Sequence, residues 1–457
     1  MTKTTVGKEL NMLTENPVHL VAGFSVPLIF ANVFQQLYYI ADAIIVGNFI
    51  DINALAAVTS CNWLTWCVNA VARDFSNTVS IMISNRVGKR SIEEASYISG
   101  CAASITLLLS FLLTALTELN LDFFFHLFQV QEDIVCLTND YYQIVLLGIP
   151  FVITYNMATA VLRADGNSRI SFYAVAISTV LNIVLDLLFI CAFHWSVRGG
   201  AFATIISQFI AMLIVLTPLF KSRISPKWQY SRTVNKKIIK EMGALWAPMM
   251  INSLVISVSG SIISRQVNAI GVFLTAGISA ATKIFTLIES VFIAIQAGLS
   301  VFVGQNLGAG QSKRVRVGVI GVIKMSLMLS ILINLIMQPL APLFVGVFLS
   351  KGDPNIYEST LKAGVQDIRV VTMGLFAMTP MYLYRVSVQT IGKPQFAMYA
   401  GFLQLVVRSF SVLVLPAFIG YYAYYLATVF AWIASLPVVT IPFYYYLSKN
   451  CGIKLKE

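Results

Sequence analysis

Apolar runs of about 18 or more residues, the length a helix needs to cross a bilayer's hydrocarbon core, recur from one end of this 457-residue chain to the other. Of its residues, 58% are hydrophobic and 11% are charged, whereas soluble domains are about 25% charged. The weak alternating pattern of a membrane β-barrel is absent from the sequence. The sequence therefore predicts an all-α integral membrane protein.

The apolar runs predict about twelve spans, with a basic stretch in the middle of the chain. We expect two lobes of six helices, residues 1–220 and 240–457, joined by a cytoplasmic linker at 221–239. The linker is long for a helix connection, which suits either a hinge between moving lobes or a passive tether. The predicted spans are 20–47, 54–84, 95–117, 136–161, 168–193, 199–220, 240–268, 273–304, 316–338, 365–388, 395–417 and 422–447.

The basic residues that give the chain its net charge of +11 fall in alternate connections between the spans. Lys and Arg concentrate in the cytoplasmic loops of membrane proteins. With the N-terminus inside, the basic run 221–240 faces the cytoplasm and the acidic stretch 118–133 faces outward. We expect a multi-pass protein of a bacterial or archaeal inner membrane with both termini cytoplasmic. This charge pattern requires no nucleic-acid partner.

The two halves of the sequence repeat each other at a spacing of about 220–226 residues. Each half holds six spans, an even number, so both halves keep the same orientation in the membrane. We expect them to be related by a pseudo-two-fold axis along the membrane normal, with a substrate path at their interface. The matched segments are 27–32 with 248–252, 84–90 with 304–310, 166–173 with 392–399, and 203–204 with 427–428.

One predicted span, within residues 178–190, carries an acidic residue in an otherwise apolar run. Asn182 and Asp186 are four residues apart, which places both on one helix face. A carboxylate at the bilayer centre costs about 2.5–3.5 kcal/mol even on the mildest insertion scale, so a cation, a proton or a polar cavity must offset it. The repeat aligns Asn182 with Arg408 and Asp186 with Val412, so we expect the acidic site in the N-terminal lobe alone.

A polar stripe on the first span is the next candidate. Gln35, Tyr38 and Asp42 recur at i, i+3 and i+7, on one helical face. Asp42 could simply lie near the outer water interface, but the deeper Gln35 and Tyr38 favour a cavity shared with Asp186. Thr204 in the sixth span could join this group, although threonines often bond their own helix backbone.

Two further pairs of polar residues are candidate substrate contacts. Tyr155 and Asn156 in the fourth span could contact a ligand or act as helix-packing groups. Arg73 and Asp74 in the second span point about 100° apart on a helix, so they cannot simply pair face to face. We expect this second pair to line a cavity rather than to face lipid.

Glu289, the only acid in the eighth span, is the candidate of the C-terminal lobe for binding a cationic substrate. Its alternative role is that of a buried partner of Lys283 or Arg265.

Motifs for nucleotide binding and for hydrolysis are missing from the sequence. The glycine-rich stretch 304–312 lacks the lysine and the preceding strand of a phosphate-binding loop. H-E-x-x-H and G-x-S-x-G are also absent. We therefore expect neither an ATP-driven pump nor an enzyme, and no cofactor other than a coupling ion.

Several short motifs in a fixed order resemble the multidrug and toxin extrusion (MATE) family of secondary transporters. The resemblance implies a two-lobed, V-shaped antiporter with alternating access, which exports amphipathic or cationic small molecules as Na⁺ or H⁺ enters, and which acts as a monomer in the lipid bilayer. The motifs are Gln35-Gln36-Leu37-Tyr38 with Ala41-Asp42-Ala43, Ala54-Leu55-Ala56-Ala57, Gly304 to Gly310, Arg163 with Gly166-Asn167, and Asn182 with Asp186.

The branch of the family that resembles DNA-damage-inducible protein F implies an ion site in the N-terminal lobe. Its motif falls here on Asp42, Asn182, Asp186 and Thr204, which would hold Na⁺ if the transporter is sodium-coupled. Three departures from the family pattern stand out. They are Arg73-Asp74 with Asn77 in the second span, Ser84-Asn85-Arg86 in the following loop, and the lack of an acid in the seventh span, whose role Glu289 does not inherit.

Two other functions stay open on the sequence. A lipid-linked oligosaccharide flippase of the same superfamily would need a large cationic cavity, for which Arg73, Arg265, Lys283 and Arg408 are available. A membrane receptor without transport is the alternative from another functional class.

Overall fold

The computed structural model describes residues 12–128, 130–228, 232–349 and 354–451, and every regular element in these ranges is helical. The chain divides into two compact units. Unit 1 contains Gly23–Gly243, and unit 2 contains Leu13–Ala22 together with the chain from Ala244 onward.

Unit 1 is built from the helices of the first half of the chain. Three of its six crossings are interrupted: α2 and α3 are separated by Cys61, α6 and α7 meet at an angle of 41°, and α8 continues into a π-helical segment. The helices are α1 (Pro17–Phe49), α2 (Ile52–Ser60), α3 (Asn62–Gly88), α4 (Ile92–Glu118), α5 (Leu121–Leu127), α6 (Glu132–Leu146), α7 (Ile149–Ala164), α8 (Arg169–Asp186), the π-helical segment Leu187–Ala192, and α9 (Ser196–Lys221).

Unit 2 repeats this plan, again with six crossings. Its fourth crossing is interrupted at Gly374, between α13 and α14. The helices are α10 (Arg232–Ile270), α11 (Val272–Gly308), α12 (Ser312–Gly346), α13 (Pro354–Met373), α14 (Leu375–Thr390), α15 (Gln395–Leu413), α16 (Pro416–Ile419) and α17 (Tyr422–Cys451).

Length and composition alone identify nine helices in the described residues that could cross a membrane, or ten with the α6–α7 pair. In the α2–α3 and α13–α14 pairs, α3 and α13 are long enough to cross but are too polar to be identified by composition. Arg73 and Asp74 lie in α3, and Asp367 and Arg369 lie in α13. Counting these two pairs gives the twelve crossings that the sequence predicts.

The first part of the expected linker forms an ion pair and a backbone hydrogen bond with residues of unit 1. Arg223 forms an ion pair with Asp165 at 2.7 Å, and the backbone N–H of Lys227 donates to the Ser96 carbonyl at 3.2 Å. Residues 232–239, at the end of the expected linker, form the first turns of α10. These turns belong to unit 1, where Arg86 pairs with Glu241 at 2.9 Å.

In unit 2, α11 and α13 approach each other through two glycines. A Cβ atom on Gly277 would lie 2.6 Å from the backbone oxygen of Thr360 and 2.8 Å from the backbone nitrogen of Gly364. A Cβ on Gly364 would in turn lie 2.7 Å from the Gly277 oxygen. Small residues let membrane helices pack this closely, so the crossing depends on the absence of both side chains.

Candidate functional site: a buried two-carboxylate cluster in unit 1

Helix α8 brings Asn182 and Asp186 to one place, as their spacing predicts. Both side chains are fully buried. Asp186 is the last residue of α8, and the chain continues directly into the π-helical segment. In this segment the N–H of Phe193 donates to the Leu188 carbonyl, five residues earlier, at 3.0 Å. Single π-helical turns inside α-helices are frequent at functional sites.

Helix α1 supplies the second carboxylate of the cluster. Asp42 is 9% exposed, so its side chain is buried within the unit. Asp42 and Asp186 lie close enough to interact electrostatically. Tyr38, one turn earlier on α1, lies within electrostatic reach of both carboxylates. Its hydroxyl forms a hydrogen bond of 3.1 Å with the hydroxyl of Thr204. The polar stripe of α1 therefore reaches α8 and α9 through Tyr38 and Asp42.

Helix α9 completes the cluster with Thr204 and with a glycine that leaves room beside Asp186. A Cβ on Gly200 would lie 3.8 Å from Asp186 Oδ1, 3.7 Å from Ile190 Cδ1 and 3.9 Å from Val46 Cγ2. These are ordinary contact distances, so a larger side chain at Gly200 would take up the space next to the carboxylate.

Tyr141 on α6 is a member of the cluster that the sequence analysis missed. It is buried and lies within electrostatic reach of Asp42, Asp186 and Tyr38. Its position in Asp140-Tyr141-Tyr142, in the second half of α6, offered only a weak signal. Its neighbours come from helices far away in sequence, so spacing arguments within α6 could not identify it.

Five buried polar atoms of this cluster have no hydrogen-bond partner among the described residues, and no described ion pair reaches either carboxylate. Burying unpaired polar groups and charges is costly. Two neighbouring carboxylates cannot both stay ionised without a cation. The cluster offers carboxylate, amide and hydroxyl oxygens, which are the donors that hard cations prefer. These residues therefore fit a small hard cation or a proton. The five atoms are Asp42 Oδ1, Asn182 Oδ1 and Nδ2, and Asp186 Oδ1 and Oδ2.

No described contact links three other candidate residues, Gln35, Tyr155 and Asn156, to the cluster. Gln35 is exposed on α1. On α7, the Asn156 amide donates to the Val152 carbonyl of its own helix at 2.8 Å, and the half-buried Tyr155 interacts with Arg163.

Arg73 and Asp74 point in different directions, as adjacent helical residues must. Arg73 is exposed and lies within electrostatic reach of Tyr39, whereas Asp74 is buried. The two side chains are therefore not buried together.

The alternative role expected for Glu289 is wrong in its choice of partner. The Tyr382 hydroxyl donates to Glu289 Oε1 at 2.6 Å, and Arg408 lies within electrostatic reach. Lys283 instead lies 5.6 Å from the ring centre of Phe348. The two expected partners come from α10 and α11, and the actual neighbours come from α14 and α15.

Unit 2 also holds a buried acid that the sequence analysis overlooked. Asp367 on α13 is 8% exposed and lies within electrostatic reach of Tyr425. The signal was present, because an aspartate interrupts an apolar stretch in Val365-Gln366-Asp367-Ile368. Asp367 is the third residue of the predicted span 365–388, close to its expected end.

The described helices make up twelve crossings in two repeated units, with unpaired carboxylates buried within unit 1, which is the architecture of a polytopic membrane protein with a candidate ion site. Among known proteins, the model of the MatE family matches residues 27–188 and 248–414. The chain belongs to this family of MATE transporters, and the predicted family is confirmed.

The chain is similar in sequence to several curated bacterial proteins. It is 30% identical over 303 residues to "Probable multidrug resistance protein YpnP" of Bacillus subtilis, with 64% of this chain and 65% of that protein covered. The match therefore spans slightly less than two thirds of that relative. It is 23% identical over 330 residues to the "FAD transporter" of Shewanella oneidensis, with 70% and 72% covered.

The fold is also that of solved MATE structures. The structure described as "MATE in the bent conformation" superposes with a TM-score of 0.88 at 20% sequence identity, and 98% of this chain and 99% of that one are covered. The predicted all-α fold, with twelve helices in two bundles, is thereby confirmed.

Proposed function

We propose that this protein is a cation-coupled secondary antiporter that exports drug-like or organic cationic small molecules. Its membership of the MatE family and its similarity to a protein named for multidrug resistance support export as the activity. The coupling ion, Na⁺ or H⁺, enters through the cluster of Asp42, Asn182, Asp186 and Thr204.

The observation that carries this proposal is the pair of unpaired carboxylates buried where three helices meet. Each carboxylate costs about 2.5–3.5 kcal/mol on insertion scales, and no described side chain neutralises either one. A cation or a proton bound there removes most of that cost. The state of the transporter that binds the ion is therefore stabilised relative to the state that does not.

Ion binding can alter the packing of α1 because this helix supplies Asp42 and Tyr38 while α8 and α9 supply the other ligands. Pro27 lies inside α1, where it removes a backbone hydrogen bond and creates a point of bending. Drawing Asp42 toward Asp186 moves the part of α1 beyond this bend. A ligand shifts a conformational equilibrium only by its difference in affinity for the two states, so substrate release requires a cluster that closes in one state only.

The basic connections set the orientation in this proposal. The run 221–240 and the loop after α3 face the cytoplasm, and both termini lie inside an inner membrane. The transporter acts as a monomer, and its partners are the lipid bilayer and the exported molecule.

The flippase alternative depends on a large cationic cavity. Of the four cations available for it, Arg73, Arg265 and Lys283 are exposed and Arg408 is buried. A relative named as a transporter of FAD, an anionic compound, is the observation in favour of anionic cargo.

Transport in proteoliposomes tests the proposal. Vesicles containing the purified protein are loaded with a cationic dye and given a Na⁺ gradient or an H⁺ gradient in separate experiments. We expect one gradient to drive dye export above the leak rate and the other to have little effect. Export that is indifferent to both gradients would reject cation-coupled antiport.

The space beside Gly200 gives a second prediction. We expect Gly200→Ala to keep most ion-driven export, because its Cβ meets Asp186 Oδ1 at an ordinary contact distance of 3.8 Å. In Gly200→Leu the side chain takes the position that the ion needs, so export falls to the leak rate. Wild-type export by the leucine variant would show that the ion lies elsewhere. Circular dichroism and size-exclusion chromatography check that both variants fold.

A further inference from the structure

The helices of unit 2 that correspond to the cation cluster carry a fixed positive charge. Arg408 on α15 aligns with Asn182, while Val412 and Ile263 stand where unit 1 has Asp186 and Asp42. Arg408 is 8% exposed, which is rare for a guanidinium without an ionic partner. The position that attracts a cation in unit 1 therefore repels one in unit 2.

The hydrogen-bonding capacity of Arg408 is largely unused. Its Nε is buried with no partner among the described residues, and its one described hydrogen bond is a long one of 3.5 Å from Nη1 to Ser259 Oγ. A guanidinium has five N–H donors, and leaving such donors unsatisfied in a buried place is costly.

A second arginine lies in the same neighbourhood. Arg385 on α14 lies within electrostatic reach of Arg408. It also packs on the Tyr382 ring, with its guanidinium carbon 4.4 Å from the ring centre. Within the described structure, neither guanidinium forms an ion pair. Arg385 and Tyr382 are both half-buried, so this neighbourhood is not sealed from its surroundings as completely as Arg408 is.

One carboxylate balances these two positive charges incompletely. Glu289 is within electrostatic reach of Arg408, but its Oε1 accepts a 2.6 Å hydrogen bond from the Tyr382 hydroxyl. Two guanidinium groups and one carboxylate leave a net charge of +1. The cluster of Arg408, Arg385, Tyr382, Ser259 and Glu289 is therefore a partly buried positive site with unused donors.

We infer that this arginine cluster of unit 2 binds an anionic group, a carboxylate or a phosphate, during transport. Planar, bidentate recognition of such groups is the interaction for which a guanidinium is best suited. The anion is either part of the exported molecule or a free inorganic anion. The inference rests on the proposed transport function and narrows its substrate class to molecules that carry or accompany a negative group.

A matched pair of dyes tests the anionic site. The probes are a rhodamine zwitterion with a free carboxylate and the methyl ester of the same dye, which differ only in the negative group. Binding to the purified full-length protein is followed by fluorescence anisotropy. We expect the wild-type protein to bind the acid at least about tenfold more tightly than the ester, a difference of about 1.4 kcal/mol.

Variants of Arg408 identify the group responsible. In Arg408→Gln we expect the preference for the acid to disappear while ester binding is unchanged, and in Arg408→Lys we expect part of the preference to remain. Arg265→Gln removes the same charge from an exposed position of α10 and should keep the full preference. Equal weakening of both dyes by Arg408→Gln would indicate a packing role and overturn the inference.

Inorganic phosphate distinguishes the two sources of the anion. A preference for the acid dye assigns the site to a group of the substrate. Phosphate binding that depends on Arg408, without any preference between the dyes, assigns it to a free anion. If the protein shows neither a preference for the acid dye nor phosphate binding that depends on Arg408, the anionic site is overturned. Gradient-driven export of the ester would then still support antiport. A preference for the acid dye without any gradient-driven export would support the anionic site and reject cation-coupled antiport.

Discussion

In the Asp186→Asn variant we expect ion-driven export to fall to the leak rate of protein-free vesicles, while the protein still folds. Asparagine keeps the size of the side chain and removes the buried charge, so it relieves an electrostatic cost in the empty protein rather than adding one. The loss of transport then follows from the loss of the ion's ligand. Dye export from proteoliposomes under an imposed Na⁺ or H⁺ gradient measures it.

Thermal unfolding of the same variant tests ion binding without transport. A ligand at 100 times its Kd stabilises the folded state by about 2.7 kcal/mol. If Na⁺ is the coupling ion, the wild-type protein should melt at a higher temperature in Na⁺ than in choline, and Asp186→Asn and Asp42→Asn should lose that difference. Asp140→Asn is the matched control, because Asp140 forms a surface ion pair with Arg198 at 2.8 Å. Undiminished transport by both Asp186→Asn and Asp42→Asn would reject the site.

The largest effect on stability is expected at the crossing of α11 and α13. In Gly277→Val the new Cβ would lie 2.6 Å from a backbone oxygen, which cannot rotate away as a side chain can. Overpacking typically costs up to about 3 kcal/mol, and here the two helices must separate. We expect a large fall in the melting temperature, or a loss of folded protein, measured by fluorescence-detected size-exclusion chromatography.

Gly260→Val provides the matched control for this substitution. Gly260 lies on α10 of the same unit, and a Cβ there would meet nothing within 4 Å. We expect the control to fold and to melt close to the wild-type temperature. A Gly277→Val protein as stable as this control would show that the crossing tolerates a wider separation.

Local sequence patterns were enough to predict much of the unit 1 cluster. The four-residue spacing of Asn182 and Asp186 places them on one face of α8, and the stripe on α1 leads from Tyr38 to Asp42. Both predictions depend on one helix at a time, where geometry follows from periodicity. That the same helices meet Thr204 on α9 followed from the family resemblance and from the need to bury polar groups.

Contacts between distant helices explain what the sequence could not provide. Tyr141 joins the cluster only because α6 packs beside it, and Gly200 matters because of the space it leaves next to Asp186. Glu289 receives its hydrogen bond from Tyr382, 93 positions away in the chain. Such pairings depend on helix rotation and crossing geometry, which periodicity within a single helix does not determine.

The π-helical segment Leu187–Ala192 has a practical consequence for anyone who engineers this span. A π-helical turn accommodates about one more residue than an α-helical turn, so helical-wheel counting from Asp186 fails beyond residue 187. Deleting one residue there should restore a regular α-helix and leave the later residues on the faces they now occupy, whereas the same deletion in a regular α-helix would rotate every later residue by about 100°. For scanning mutagenesis beyond residue 192, the helix faces must therefore be assigned from that end of the span and not by counting from Asp186.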